Sequence, residues 1–209
     1  FFTKISNTTW TWKSNLGKEL TLPLLPLKGD FQYNHAAAAL QALELIEPAI
    51  LENTELLENG ITNISLMGRY QTISSNPEIV LDVAHNADSA EKLMDNLDKE
   101  SKKNTIAVIG VLKDKDVYSL IKPMISNVDK WYCGTINSDR GMNSEEIKIR
   151  MSSAINQKNI KTFDSIDEAC SQAMASLGEN DRLVVYGSFY TVSEFLDYYE
   201  LINKHKDII

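Results

Sequence analysis

The sequence predicts an α/β protein in which a mostly parallel sheet carries helices on both faces. Two observations point there. From about Ile61 onward, short β-rich runs alternate with amphipathic helical stretches, and parallel strands joined this way need right-handed helical crossovers on the faces of the sheet. The composition, 43% hydrophobic and 24% charged with 9 Gly and 5 Pro, is that of a chain able to bury a core, and it excludes collagen-like, low-complexity or wholly disordered classes. The 209 residues amount to about 1.4 average domains, so one domain plus part of another fits the length.

The elements follow in order. Trp10-Thr11-Trp12-Lys13 and Glu19-Leu20-Thr21-Leu22 flank Ser14-Asn15-Leu16-Gly17, an alternating pattern around a turn that predicts a β-hairpin. The Ala-rich run Ala36 to Leu43 predicts a helix from Asn34 to Glu47, with Asn34 as its N-cap. Pro48 closes that helix or opens the next, which continues from Ala49 to Leu57 and stops at Asn59-Gly60. Predicted strands then run Ile79 to Val83, Thr105 to Ile109, Lys130 to Cys133, Ile160 to Phe163 and Leu183 to Tyr186. The helices between and after them are Asp88 to Lys99, Val117 to Ser126, Ser144 to Asn156, Ile166 to Leu177 and Thr191 to Lys204. This second part of the chain is a Rossmann-like domain.

Charge and cysteine usage narrow the function. Lys and Arg total 21 against 29 Asp and Glu, and the net charge of -8 disfavours non-specific binding to nucleic acid or an anionic membrane. An anionic ligand must therefore meet local cations. The longest apolar stretch, Ile106 to Leu112, is interrupted by Gly110 and falls far short of the ~18 residues that would span a bilayer. The start, Phe1-Phe2-Thr3-Lys4, lacks Met and any secretory pattern, and reads as a cut end. Cys133 and Cys170 stand singly in apolar contexts without a metal-ligand spacing, as buried thiols in a reducing cytoplasm do.

In an open parallel sheet, ligands bind outside the carboxyl ends of the strands. No two of the nine glycines lie two residues apart, so there is no G-x-G-x-x-G, and no P-loop is present either. If ATP is handled, residues outside this chain must wrap its phosphates. Asp82 closes the apolar run Ile79-Val80-Leu81 and is placed to hold ribose hydroxyls, or else Asp82 or Asn86 caps the following helix. His85 is a catalytic candidate or a hydrogen-bonded structural residue, and no Ser or Cys partner for a triad is identifiable. Arg69, one of four arginines, offers a planar fork for phosphate or forms a surface ion pair. Lys113-Asp114-Lys115-Asp116 is a site loop or a solvated turn with Asp116 as a cap, and Ser188 is a ligand group or an N-cap.

Taken together, these segments are specific. The chain resembles the folylpolyglutamate synthase and dihydrofolate synthase family of Mur-type ligases along nearly its whole length. The family's motifs occur in order as Leu27-Lys28-Gly29-Asp30-Phe31-Gln32 with Asn34, Gly68-Arg69, Asp82-Val83-Ala84-His85-Asn86, Gly110 through Asp114-Lys115-Asp116, and Gly187-Ser188-Phe189-Tyr190-Thr191. It departs from the family pattern at His35, Met67 and Ala87, none of which removes a functional group.

The resemblance implies that residues 1–60 end a central ATPase domain and that 63–209 form the C-terminal Rossmann-like domain. It implies a cytoplasmic ligase that uses ATP and Mg2+ to activate the carboxylate of dihydropteroate or a folate as an acyl phosphate, which the amine of L-glutamate attacks. Arg69 and His85 would be catalytic; Asn34 would meet the adenine, Arg69 the phosphates and Asp82 the ribose, with His85 beside the nucleotide. Lys115 and Ser188 would serve the glutamate or folate end. The Mg2+ ligands are expected mainly outside this chain, in the missing ATPase domain. A cell-wall Mur ligase, and a non-catalytic α/β binding module in which the same segments are only turns and caps, are the competing readings.

Overall fold

The computed structural model describes residues 1–4 and 6–206. The chain divides into two compact units, Phe1–Met67 and Gly68–Ile209. Each has its own hydrophobic core.

The first unit opens with antiparallel strands β1 (Phe2–Lys4), β2 (Thr9–Lys13) and β3 (Glu19–Pro23), in that spatial order. The predicted hairpin is β2–β3, with Trp12 opposite Leu20. Trp10 and Trp12 are fully buried, and their indole N–H groups donate to the carbonyls of Pro23 at 2.9 Å and Ala37 at 3.1 Å. That satisfies the one polar atom each brings into the core.

Helix α1 spans Phe31–Ile46, so Asn34 lies within its first turn and is not its N-cap. The reason is packing: Tyr33 stacks on Phe2 and meets Trp10 edge-on, which draws Phe31 to Tyr33 into the helix. Gly29, at φ +98°, turns the chain just before it. After a 3-10 turn at Pro48–Glu52, α2 (Thr54–Thr62) starts on Asn53, whose side chain accepts from Leu56 N–H. Gly60 does not end this helix, because Ile61 is buried and holds the last turn.

The second unit is a six-stranded sheet in the order β4-β5-β9-β6-β7-β8. Its strands are β4 (Gln71–Ser75), β5 (Glu78–Leu81), β6 (Thr105–Ile109), β7 (Lys130–Gly134), β8 (Ile160–Phe163) and β9 (Arg182–Tyr186). β4 pairs antiparallel with β5, and the other pairings are parallel. β4 was not predicted: its polar sequence is that of an edge strand, which needs no apolar run.

Successive strand residues point to opposite faces. Val80, Ala107, Ile109, Val184 and Tyr186 pack with α3 (Ala87–Asp98), α4 (Val117–Ile121) and α5 (Ser144–Met151). Ile79, Leu81, Ile106, Val108 and Val185 pack with α6 (Ile166–Ala175) and α7 (Phe189–Lys206). Helix α4 is shorter than expected because Pro123 has no N–H to continue it, and the chain tightens into a 3-10 turn at Lys122–Met124. Cys133 and Cys170 are free and buried, and burial pushes the Cys133 thiol up to about 12.

Strand β9 is inserted between β5 and β6. The helix that follows β9 lies on one face, while the helices that follow β5 and β6 lie on the other. Chains diverging to opposite faces leave a crevice at the strand ends, where such sheets bind ligands.

Candidate functional site

At the end of β5, Asp82 Oδ1 accepts the N–H of Ala84 at 2.8 Å and Oδ2 accepts the N–H of Tyr70 at 2.9 Å. Asp82 therefore caps no helix; Asn86 does, accepting Ser89 N–H at 2.9 Å in a capping box that opens α3. Burial raises the Asp82 carboxyl above the usual range, against the pull of its two N–H donors, Arg69 and His85. A carboxylate so fixed, with lone pairs left over, is suited to accept hydroxyl donors. Gly68, at φ +64°, makes the neighbouring turn possible: a Cβ there would come within 2.7 Å of Val83 Cγ1. Tyr70 also has positive φ, 45°, a conformation its buried ring and the bond to Asp82 hold in place.

Arg69 is exposed on that turn and forms no ion pair among the described residues. Its guanidinium lies 6.0 Å from the centroid of the Phe189 ring. The ring of His85 lies 6.5 Å from the same ring on centroids. Phe189, itself 60% exposed, is thus a shared platform for both groups. The His85 Nδ1 is 2.8 Å from Val83 O; a carbonyl can only accept, so Nδ1 carries the proton.

Ser188 caps α7, its Oγ accepting Thr191 N–H at 3.0 Å. Thr191 Oγ1 donates to Gly110 O at 2.9 Å and lies 2.8 Å from Ser188 Oγ. Since the threonine proton goes to the carbonyl, the serine proton goes to the threonine. Gly187, at φ +116°, lets the backbone pass where a Cβ would sit 2.4 Å from Gly110 O. These contacts tie the β9 end to the β6 end.

Beyond β6, Asp114 binds Lys115 Nζ through one oxygen at 3.1 Å and Arg140 Nη2 through the other at 3.0 Å. These hydrogen bonds, Arg140 first, hold the Asp114 carboxyl below its usual range. Asp116 caps α4 by accepting Tyr118 N–H at 3.0 Å. The loops after β6 and β7 are laced by Lys113 N–H to Arg140 O and Met142 N–H to Val111 O, both 2.9 Å.

A cleft of about 250 Å³ opens among these loops, lined by His85, Lys115, Arg140, Ser188, Phe189 and Tyr190. Of the residues read from the sequence, His85, Lys115 and Ser188 share this cleft. Arg69 adjoins it through Phe189, and the charges of Arg69 and His85 act on Asp82. Asn34 belongs to the first unit, exposed on α1. Sequence reasoning missed Arg140 and the platform role of Phe189. The only signal for Arg140 was its position after a strand, just before Gly141, where a Cβ would sit 1.9 Å from Ile136 O.

Residues 68–189 match the family described as Mur ligase, glutamate ligase domain. The dihydrofolate synthase/folylpolyglutamate synthase of Escherichia coli K12 is 34% identical over 197 residues, covering 92% of this chain and 43% of that protein. A solved structure of E. coli FolC in complex with DHPP and ADP superposes with a TM-score of 0.77 at 29% identity, over 97% of this chain and 46% of that one. A bifunctional folylpolyglutamate synthase/dihydrofolate synthase with Mn, AMPPNP and L-glutamate bound superposes at 0.74 and 28% identity, over 95% and 46%. The chain therefore spans less than half the length of these relatives. Matched through most of its second unit, with a cleft at the strand ends where such sheets hold ligands, the chain belongs to the Mur ligase family.

Proposed function

We propose that this chain is the C-terminal part of an ATP-dependent ligase that adds L-glutamate to dihydropteroate or a folate, through an acyl phosphate. The cleft carries the proposal: in a chain of net charge -8, it gathers His85, Lys115 and Arg140 beside an exposed arginine and a fixed carboxylate. Anionic substrates need such a local reversal of charge. Bound nucleotides and L-glutamate in the similar structures support it further.

In this reading residues 1–60 end the ATPase domain, where Asn34 meets the adenine, and residues 63–209 are the C-terminal domain. Arg69 neutralises phosphate charge, which phosphoryl transfer depends on. Asp82 accepts from the ribose hydroxyls. His85, held by Val83 O, presents Nε2 beside the reacting groups, while Lys115 attracts the incoming amino acid. Ser188 acts through the loop it ties to Thr191 and Gly110. Closure over the strand ends excludes water from an intermediate prone to hydrolysis. Nothing in this chain is assigned to Mg2+, whose ligands the reading draws from the ATPase domain. The setting is cytoplasmic, as the buried unpaired cysteines favour.

The test is a product assay on the full-length parent with ATP and L-glutamate, offering dihydropteroate and tetrahydrofolate in parallel. Glutamylated product from either is expected. No product from both, with turnover of a cell-wall peptide precursor, would transfer the chain to the other Mur branch.

A further inference from the structure

We infer that Tyr70 is a positioning residue for the nucleotide: its buried ring holds a backbone turn that fixes Arg69 and Asp82 relative to each other, so one side chain governs both the phosphate and the ribose contact. The inference deepens the functional reading above and rests on it for the roles of Arg69 and Asp82. Four observations carry it.

First, the backbone is unusual on both sides of Arg69. Gly68 stands at φ +64° and Tyr70 at φ +45°, and Tyr70 is the one non-glycine residue with positive φ among those described. A bulky L residue takes up that region only where its surroundings impose it, whereas glycine does so freely. Glycine would serve the backbone alone, so what Tyr70 adds is its side chain. Second, that side chain is 6% exposed and lies in the core it shares with Val80 and with Leu93 and Leu97 of α3. Its hydroxyl is buried without a hydrogen-bond partner among the described residues. The ring therefore anchors by packing and not through its oxygen.

Third, the turn is tied to the end of β5. Tyr70 N–H donates to Asp82 Oδ2 at 2.9 Å, Val83 N–H to Gly68 O at 2.8 Å, and Gly68 N–H to Gln71 Oε1 at 2.9 Å. Tyr70 thus holds the carboxylate through its own backbone while standing next to the arginine. Fourth, the Arg69 side chain forms no ion pair among the described residues, and its guanidinium lies 6.0 Å from the Phe189 ring centroid. With so weak a tether on the side chain, its place is set by the backbone that carries it. A misplacement of about 1 Å costs up to about 10²-fold in rate, so a loosened turn is read in catalysis.

In the full-length parent, Tyr70→Ala should lower kcat by about 10–100-fold and raise the KM for ATP, with the KM for L-glutamate unmoved. Tyr70→Phe keeps the ring and drops only the unpartnered hydroxyl, so it should restore the kinetic values of the parent without lowering the melting temperature. A cycle with Arg69→Ala supplies a readout that lost stability alone would not move. In that background Tyr70→Ala should cost no more than about 3-fold in kcat/KM for ATP, the share left to Asp82, because the arginine it positions is gone. Should Tyr70→Ala fail to fold, Tyr70→Leu keeps an apolar anchor and carries the same cycle at a smaller loss. Equal losses in both backgrounds, or a glutamate KM that rises as much as that for ATP, would overturn the inference, while glutamyl product from the parent keeps the ligase reading. Calorimetric titration with ADP separates the two levels. ADP affinity that falls non-additively in the two variants, in a parent that forms no glutamyl product, retires the ligase reading and keeps Tyr70 as a positioning residue. ADP affinity indifferent to Tyr70→Ala removes that role.

Discussion

Phe189 organises the site residue by residue. One ring serves as the surface for both Arg69 and His85, so the exposed arginine is held near the cleft with no ion pair among the described residues. Cation–π contacts at exposed sites are worth about 0.5–1 kcal/mol, enough to bias a side chain's position and too little to fold a domain. Arg69→Ala in the parent should therefore cut turnover by about 10²–10³-fold, while shifting unfolding free energy by no more than about 0.5 kcal/mol. Parallel measurement of kcat and denaturant midpoint checks this, and matched losses in both would mean that Arg69 is structural. Asp82 contributes differently. Half-buried and bonded to two backbone N–H groups, it builds the Gly68–Tyr70 turn, so its substitution disturbs the fold and the site together.

Individual elements separate stability from the cleft. The capping box at α3 predicts that Asn86→Ala costs about 1 kcal/mol, read as a shift in the urea midpoint. At the starts of the strands, Glu78 begins β5 opposite Arg182 and accepts hydrogen bonds from Arg182 Nε and Lys103 Nζ, both at 2.9 Å. Burial pushes the Glu78 carboxyl upward, but Lys103 and Arg182 outweigh it and hold the group below its ordinary value. Its folded value is lower than its unfolded one of about 4.3. The stabilisation is therefore full above that unfolded value and is lost as pH falls through the folded value.

Glu78→Gln leaves Arg182, 4% exposed, without its buried carboxylate, and should cost about 3–5 kcal/mol at neutral pH. The same variant should flatten the acid limb of a melting-temperature profile. Because the triad lies at the strand starts, the substrate KM values of the folded variant should stay at those of the parent. Changed KM values would show that the two ends of the sheet are coupled.

The molecule as a whole is two units, each with a core of its own. No described helix is long and apolar enough to cross a membrane. With no P-loop in the sequence, the chain purified alone should bind ATP weakly and form no glutamyl product. Isothermal titration and a coupled ADP assay check this, and ATP-dependent glutamate addition by the isolated chain would refute its assignment as part of a divided site.

The sequence by itself determined the parallel α/β domain, because alternation of buried strands and amphipathic helices is a local property. β6 and β8 begin and end where the sequence predicts them to. It also singled out the strand ends as the place to look for a site, since Asp82, His85, Lys115 and Ser188 all follow apolar runs. Only the tertiary structure decided what these residues contact. Whether Asn34 caps α1 depended on Tyr33 packing against Phe2 and Trp10. Whether β4 exists depended on its pairing with β5, and whether Ser188 is free depended on Thr191 and the Gly110 carbonyl. Arg140 was illegible for the same reason. It lies 25 residues beyond Lys115 in the chain and meets it only through Asp114, once two neighbouring parallel strands bring their carboxyl ends side by side.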